Sequence, residues 1–121
     1  MLDRIRRWAP PVALMLAIAV VSSRPVAPLP SGVNDKVAHA AAFGLLAWLW
    51  IRAWRPRRGK PPGVRGLLPA WMLSAGYGAI DEWHQSYVPG RTASAADWIA
   101  DAFGAAVVVL LVLAIRALRA R

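Results

Sequence analysis

The sequence predicts an all-α fold: an integral membrane bundle of four helices with both termini on the cytoplasmic side. Three observations carry that expectation. Apolar residues make up 58% of the 121-residue chain and charged residues only 17%. The apolar residues gather in four long runs joined by short polar or proline-rich connections. The basic residues, 15 against 6 acidic, sit in clusters at the ends of those runs. A net charge of +9 would also suit nucleic-acid binding. Short basic clusters between apolar runs are instead how membrane proteins carry charge, so no nucleic-acid partner is expected. The length suits a single domain, residues 1–121. With no cysteine, disulfides, thiolate metal sites and cysteine nucleophiles are excluded.

The first run covers about 8–23, the second about 37–54, the third about 66–87 and the fourth about 95–118. A span needs roughly 20 apolar residues. The first is short, so it is expected to stand upright or to draw on its flanks. Its Arg4–Arg7 and Val12–Val21 also resemble the start of a signal peptide. The sequence lacks a clean small-x-small cleavage site and Pro25 follows closely, so a retained anchor is expected. Residues 24–34 carry Pro25, Pro28 and Pro30, and residues 55–65 form a basic connection with three further prolines. Pro89-Gly90 marks a turn before the fourth run. None of the runs alternates polar and apolar residues as a membrane barrel would.

Orientation follows from the basic residues. With the N-terminus inside, Arg4 to Arg7, Arg52 to Arg65 and Arg116 to Arg121 place twelve of them in the cytoplasm. Only Arg24, Lys36 and Arg91 fall outside. Trp8, Trp54 and Trp71 are then expected near the inner interface, with Trp83, Tyr87 and Trp98 near the outer one.

The acidic residues gather opposite the basic ones. Asp35, Asp81, Glu82, Asp97 and Asp101 all fall at the outer ends of helices two to four, together with His39, His84, Gln85 and Arg91. Ionisable groups so near a membrane interior are costly unless they face one another or water. Asp35 and His39 are spaced i, i+4, Glu82 and Gln85 i, i+3, and Asp97 and Asp101 i, i+4. Gly78 and Gly104 share these stripes, where small residues allow close helix approach. The expected picture is a polar pocket open to the outside above tight packing.

Several of these residues have structural readings too. Asp35 and Asn34 suit the start of a helix, and Ser94-x-x-Asp97 is a capping-box pattern. Lys36 suits an outer anchor. Asp81 and His84 are expected to face lipid headgroups. His39 alone reads equally as an interhelical hydrogen bonder. Glu82 and Asp101 resist such readings. Glu82 lies in a last helical turn, where the macrodipole disfavours it, and Asp101 is too deep to cap anything. Each needs a partner, for which Arg91, Lys36 and His39 are the candidates.

At these positions the chain resembles a known family. Asp35-Lys36-x-x-His39-x-x-x-Phe43, Asp81-Glu82-x-x-Gln85, Pro89-Gly90-Arg91 and Asp97-x-x-x-Asp101-x-x-Gly104 are similar to the VanZ-like family over about residues 34–105. Asp101 stands where that pattern usually has Asn, and Val108 where it often has Gly. The resemblance marks Asp35, Lys36, His39, Glu82, Gln85, Arg91, Asp97 and Asp101 as matched, substrate-binding candidates. It also implies a link to low-level teicoplanin resistance, with no activity attached to particular residues.

Two functions compete at this level. One is a binding protein of the cell membrane whose outer pocket engages a membrane lipid, a lipid-linked envelope molecule or a glycopeptide tail. The other is a membrane-embedded enzyme using Glu82 or Asp97 as general base on such a headgroup, with His39 as acid–base partner or, as the less favoured alternative, metal ligand. The sequence carries no metal or nucleophile motif, so neither metal nor cofactor is expected. A lone-chain pore is disfavoured because the cytoplasmic half carries no polar lining.

Overall fold

The computed structural model describes residues 2–25, 32, 34–55 and 64–121. Pro28, Pro30 and the basic stretch 56–63 lie outside the described residues. Four α-helices account for most of the rest: α1 (Leu2–Ser22), α2 (Asp35–Ala53), α3 (Leu67–Gln85) and α4 (Ala95–Arg119). A single 3₁₀ turn, Val64–Gly66, leads into α3. The all-α expectation holds among the described residues, which contain no strand.

α1 begins at Leu2 rather than near Trp8, and its 21 residues extend roughly 31 Å. Asp3 in the first turn opposes the positive helix end and helps start the helix ahead of the apolar run. Pro10 and Pro11 lie inside it. Among the described residues, α1 and α4 are long and apolar enough to cross a membrane by length and hydropathy alone. α2 and α3 have only 19 residues each and hold the Asp35–Lys36 and Asp81–Glu82 pairs within that length. They also supply most of the buried residues among those described. α4 instead leaves Phe103, Leu110, Leu111 and Leu118 exposed along its length.

α2 and α4 make the most extensive helix contact. Gly104 permits it: a Cβ there would collide with the Ala40 backbone. Facing it, Gly44 lies against the Gly104 carbonyl, which a Cβ would meet at 3.2 Å. Lower in the bundle Phe43, Leu46, Trp50, Ile51, Leu67, Ala70 and Val112 form the apolar core, against which α1 lays Leu14, Met15 and Ile18. Tyr77 of α3 anchors α1 by donating to the Met15 carbonyl at 2.5 Å. At the other end of α1, Trp8 packs edge-on against Trp50 at 5.4 Å and beside Trp54 at 5.5 Å. Two further tryptophans bridge helices through their indole nitrogens. The Trp71 indole donates to the Ala102 carbonyl at 3.1 Å, and that of Trp98 to the Ala75 carbonyl at 2.9 Å. Both stitch α3 to α4.

Candidate functional site

The N-termini of α2 and α4 and the C-terminus of α3 meet at one end of the bundle, and most of the polar residues collect there. Asn34 caps α2, its side chain accepting from the Lys36 amide at 2.9 Å. That leaves Lys36 to reach across to α4, where its ammonium pairs with the Asp97 carboxylate. Lys36 precedes the apolar run that starts at Val37. Its hydrogen bond to Asp97 raises its pKa above the ordinary lysine value.

One turn further along α2, His39 Nδ1 lies 2.8 Å from Asp101 Oδ1. Its other ring nitrogen lies 3.9 Å from Asp35 Oδ1. Asp101 is fully buried, and its second oxygen faces Gly78, where a Cβ would come within 2.8 Å of it. Gly78 thus makes room for a carboxylate between α3 and α4.

Ser94 caps α4 by accepting from the Asp97 amide at 3.3 Å, as its capping-box pattern predicts. The reciprocal bond departs from that pattern. The Ser94 amide donates at 2.8 Å to Glu82 of α3, leaving the Asp97 carboxylate to Lys36. This resolves the awkward placement of Glu82. Though it sits at the negative end of α3, it rests on the positive end of α4.

Arg91 is not the partner of Glu82 or Asp101 that its charge invited. Its guanidinium donates to the carbonyls of Arg24 at 3.0 Å and Val21 at 3.1 Å, closing the end of α1. The chain reaches that position through the Pro89-Gly90 turn, where Gly90 has φ +80°. Asp81 also differs from expectation. It is 3% exposed rather than turned to headgroups, and it accepts from Gln85 at 2.9 Å. The i, i+4 spacing of Asp81 and Gln85 was the available signal.

A cavity of about 360 Å³ opens between α1, α2 and α3. Leu14, Ala17, Ile18 and Val21 of α1 line one side, and Ala42 and Phe43 of α2 line the opposite one. Asp35, His39, Asp81, Gln85 and Arg91 supply its polar part. The eight sequence candidates therefore divide. Asp35, His39, Gln85 and Arg91 line the cavity. Glu82, Asp97 and Asp101 are buried behind it, between α2, α3 and α4, and the exposed Lys36 reaches Asp97 from the start of α2. His39 belongs to both groups, facing the cavity while bonded to Asp101. α1 carries no motif, and its apolar side chains gave no sign that they line a site.

A sequence profile of the VanZ/LLP1 family matches residues 8–116. The chain belongs to the VanZ/LLP1 family. The match takes in all four helices, including α1 and its cavity wall, beyond the residues that carried the motif resemblance. Comparison with curated proteins and with solved structures returns no match.

Proposed function

We propose that this VanZ/LLP1 protein is a four-span protein of the cell membrane, both termini cytoplasmic, whose outward-facing cavity binds an amphiphile of the envelope. The amphipathic lining of the cavity carries this reading. Apolar side chains of α1 and α2 suit an acyl chain, and a polar end of opposite charges suits a zwitterionic headgroup. About 360 Å³ lies at the lower end of the usual range for small-molecule sites. Asp35 and Asp81 suit an ammonium group, and Arg91 a phosphate oxygen through the guanidinium nitrogen (Nη1) not given to the Arg24 and Val21 carbonyls. Binding is favoured over acid–base catalysis because, of Glu82, Asp97 and His39, only His39 lines the cavity. Glu82 is committed to the Ser94 amide and Asp97 to Lys36.

Native mass spectrometry of the protein released from nanodiscs tests this. The parent chain is expected to retain a lipid. Ala17→Phe, which fills the cavity from α1 without touching a charged group, is expected to lose it at unchanged abundance. Retention by both chains, or by neither, contradicts the reading. A lipoglycopeptide is a further candidate occupant. Expression in a susceptible host should then lower sensitivity to teicoplanin more than to vancomycin, which lacks the lipid tail. Equal effects on both drugs, or none on either, would remove the antibiotic from the proposal.

A further inference from the structure

Behind the cavity, the polar cluster carries more negative charge than its cations balance. Lys36 is paired with Asp97, and Arg91 is turned to the carbonyls at the end of α1. Among the described residues, Glu82 and Asp101 are left with the His39 imidazole as their neighbouring basic group. Both carboxylates are more than nine-tenths buried. Each also keeps one buried oxygen, Glu82 Oε1 and Asp101 Oδ2, that meets no hydrogen-bond donor among the described residues. Buried charge of this kind is costly unless something positive faces it.

His39, Glu82 and Asp101 each offer a donor atom, and the three lie within 4.8 Å of one another. We propose that these three residues bind a divalent metal ion of borderline hardness, Mn²⁺ or Zn²⁺, that locks α2, α3 and α4 together behind the cavity. The donor set is one imidazole nitrogen with two carboxylates, which suits such ions. One edge of the site already has the required spacing. Two ligands each about 2.1 Å from an ion lie roughly 3 Å apart when at right angles. His39 Nδ1 and Asp101 Oδ1 are already 2.8 Å apart. Each ligand comes from a different helix, so the site arises from the fold and from no local motif. This inference does not depend on what occupies the cavity.

A shared proton is the competing way to neutralise the two carboxylates, and the experiment separates them. The full chain, in nanodiscs of zwitterionic lipid, is stripped with a chelator and titrated with Mn²⁺ by calorimetry and by thermal unfolding. The parent is expected to bind one ion per chain and to unfold at a higher temperature with Mn²⁺, but not with Na⁺ at equal ionic strength. Glu82→Gln and Asp101→Asn are each expected to weaken binding by at least about tenfold. Asp3→Asn, in the first turn of α1, is expected to bind as the parent does. A folded parent that neither binds Mn²⁺ nor gains thermal stability from it overturns the proposal and leaves the proton. Binding that survives both substitutions, or is lost with Asp35→Asn instead, also overturns it, the latter by moving the ion to Asp35, His39 and Asp97. If either ligand variant fails to fold, the response of the parent alone decides.

Discussion

At the scale of single residues, the arrangement shows polar groups satisfied by neighbours on other helices. Glu82 is the clearest case, because the Ser94 amide it accepts from belongs to the start of α4. Glu82→Ala leaves that amide without its acceptor and should cost about 1–3 kcal/mol. Glu82→Gln keeps an acceptor at the same place and should remain within about 1 kcal/mol of the parent. Chemical unfolding in detergent with a chelator present measures both, and equal losses would contradict this role for Glu82. The need for a partner was legible in the sequence, since a carboxylate in a last helical turn is electrostatically misplaced. The partner itself was not. Spacing along a helix tells which residues share a face, and it is silent on which backbone amide a neighbouring helix brings there. For the same reason Arg91 was read as a counter-ion, although its fork is held by the carbonyls of Val21 in α1 and Arg24 just beyond it.

At the scale of helices, glycine decides how closely α2 and α4 approach. Gly104→Ala would drive a methyl group into the Ala40 backbone, which cannot give way as a flexible side-chain end can. It should destabilise the bundle by about 2–3 kcal/mol or more. Gly76→Ala, on the exposed side of α3 with nothing within 4 Å, should instead stabilise by up to about 1 kcal/mol. Thermal unfolding of the two variants in the same detergent checks the opposite signs. That Gly78 and Gly104 lie beneath the polar groups could be read from their place on the polar stripes. The beginning of α1 could not, because hydropathy marks where a chain turns apolar and not where its helix starts. Nor could the role of α1 as a cavity wall, since Leu14, Ala17 and Ile18 look like any membrane-facing side chains.

At the scale of the whole molecule, the functional account requires the ends of α2, α3 and α4 that hold the polar cluster to face out of the cell. The fold is consistent with either direction, because helix packing is unchanged by inverting the bundle across the membrane. Direction rests on the basic residues, which crowd the opposite end. The four helices were legible as apolar runs, and the clustering of polar groups at one end as a break in that pattern. The division of those groups between a cavity and a packed cluster emerged only from all four helices meeting in space. The decisive measurement is labelling in intact cells with a membrane-impermeant thiol reagent, for which a chain with no cysteine of its own is well suited. Thr92→Cys lies exposed beside the polar cluster and Ala120→Cys lies exposed just beyond α4. The account predicts labelling at residue 92 in intact cells, and at residue 120 only after the cells are permeabilised. Labelling of intact cells at residue 120 with protection at residue 92 would turn the cavity toward the cytoplasm and contradict an envelope-facing site.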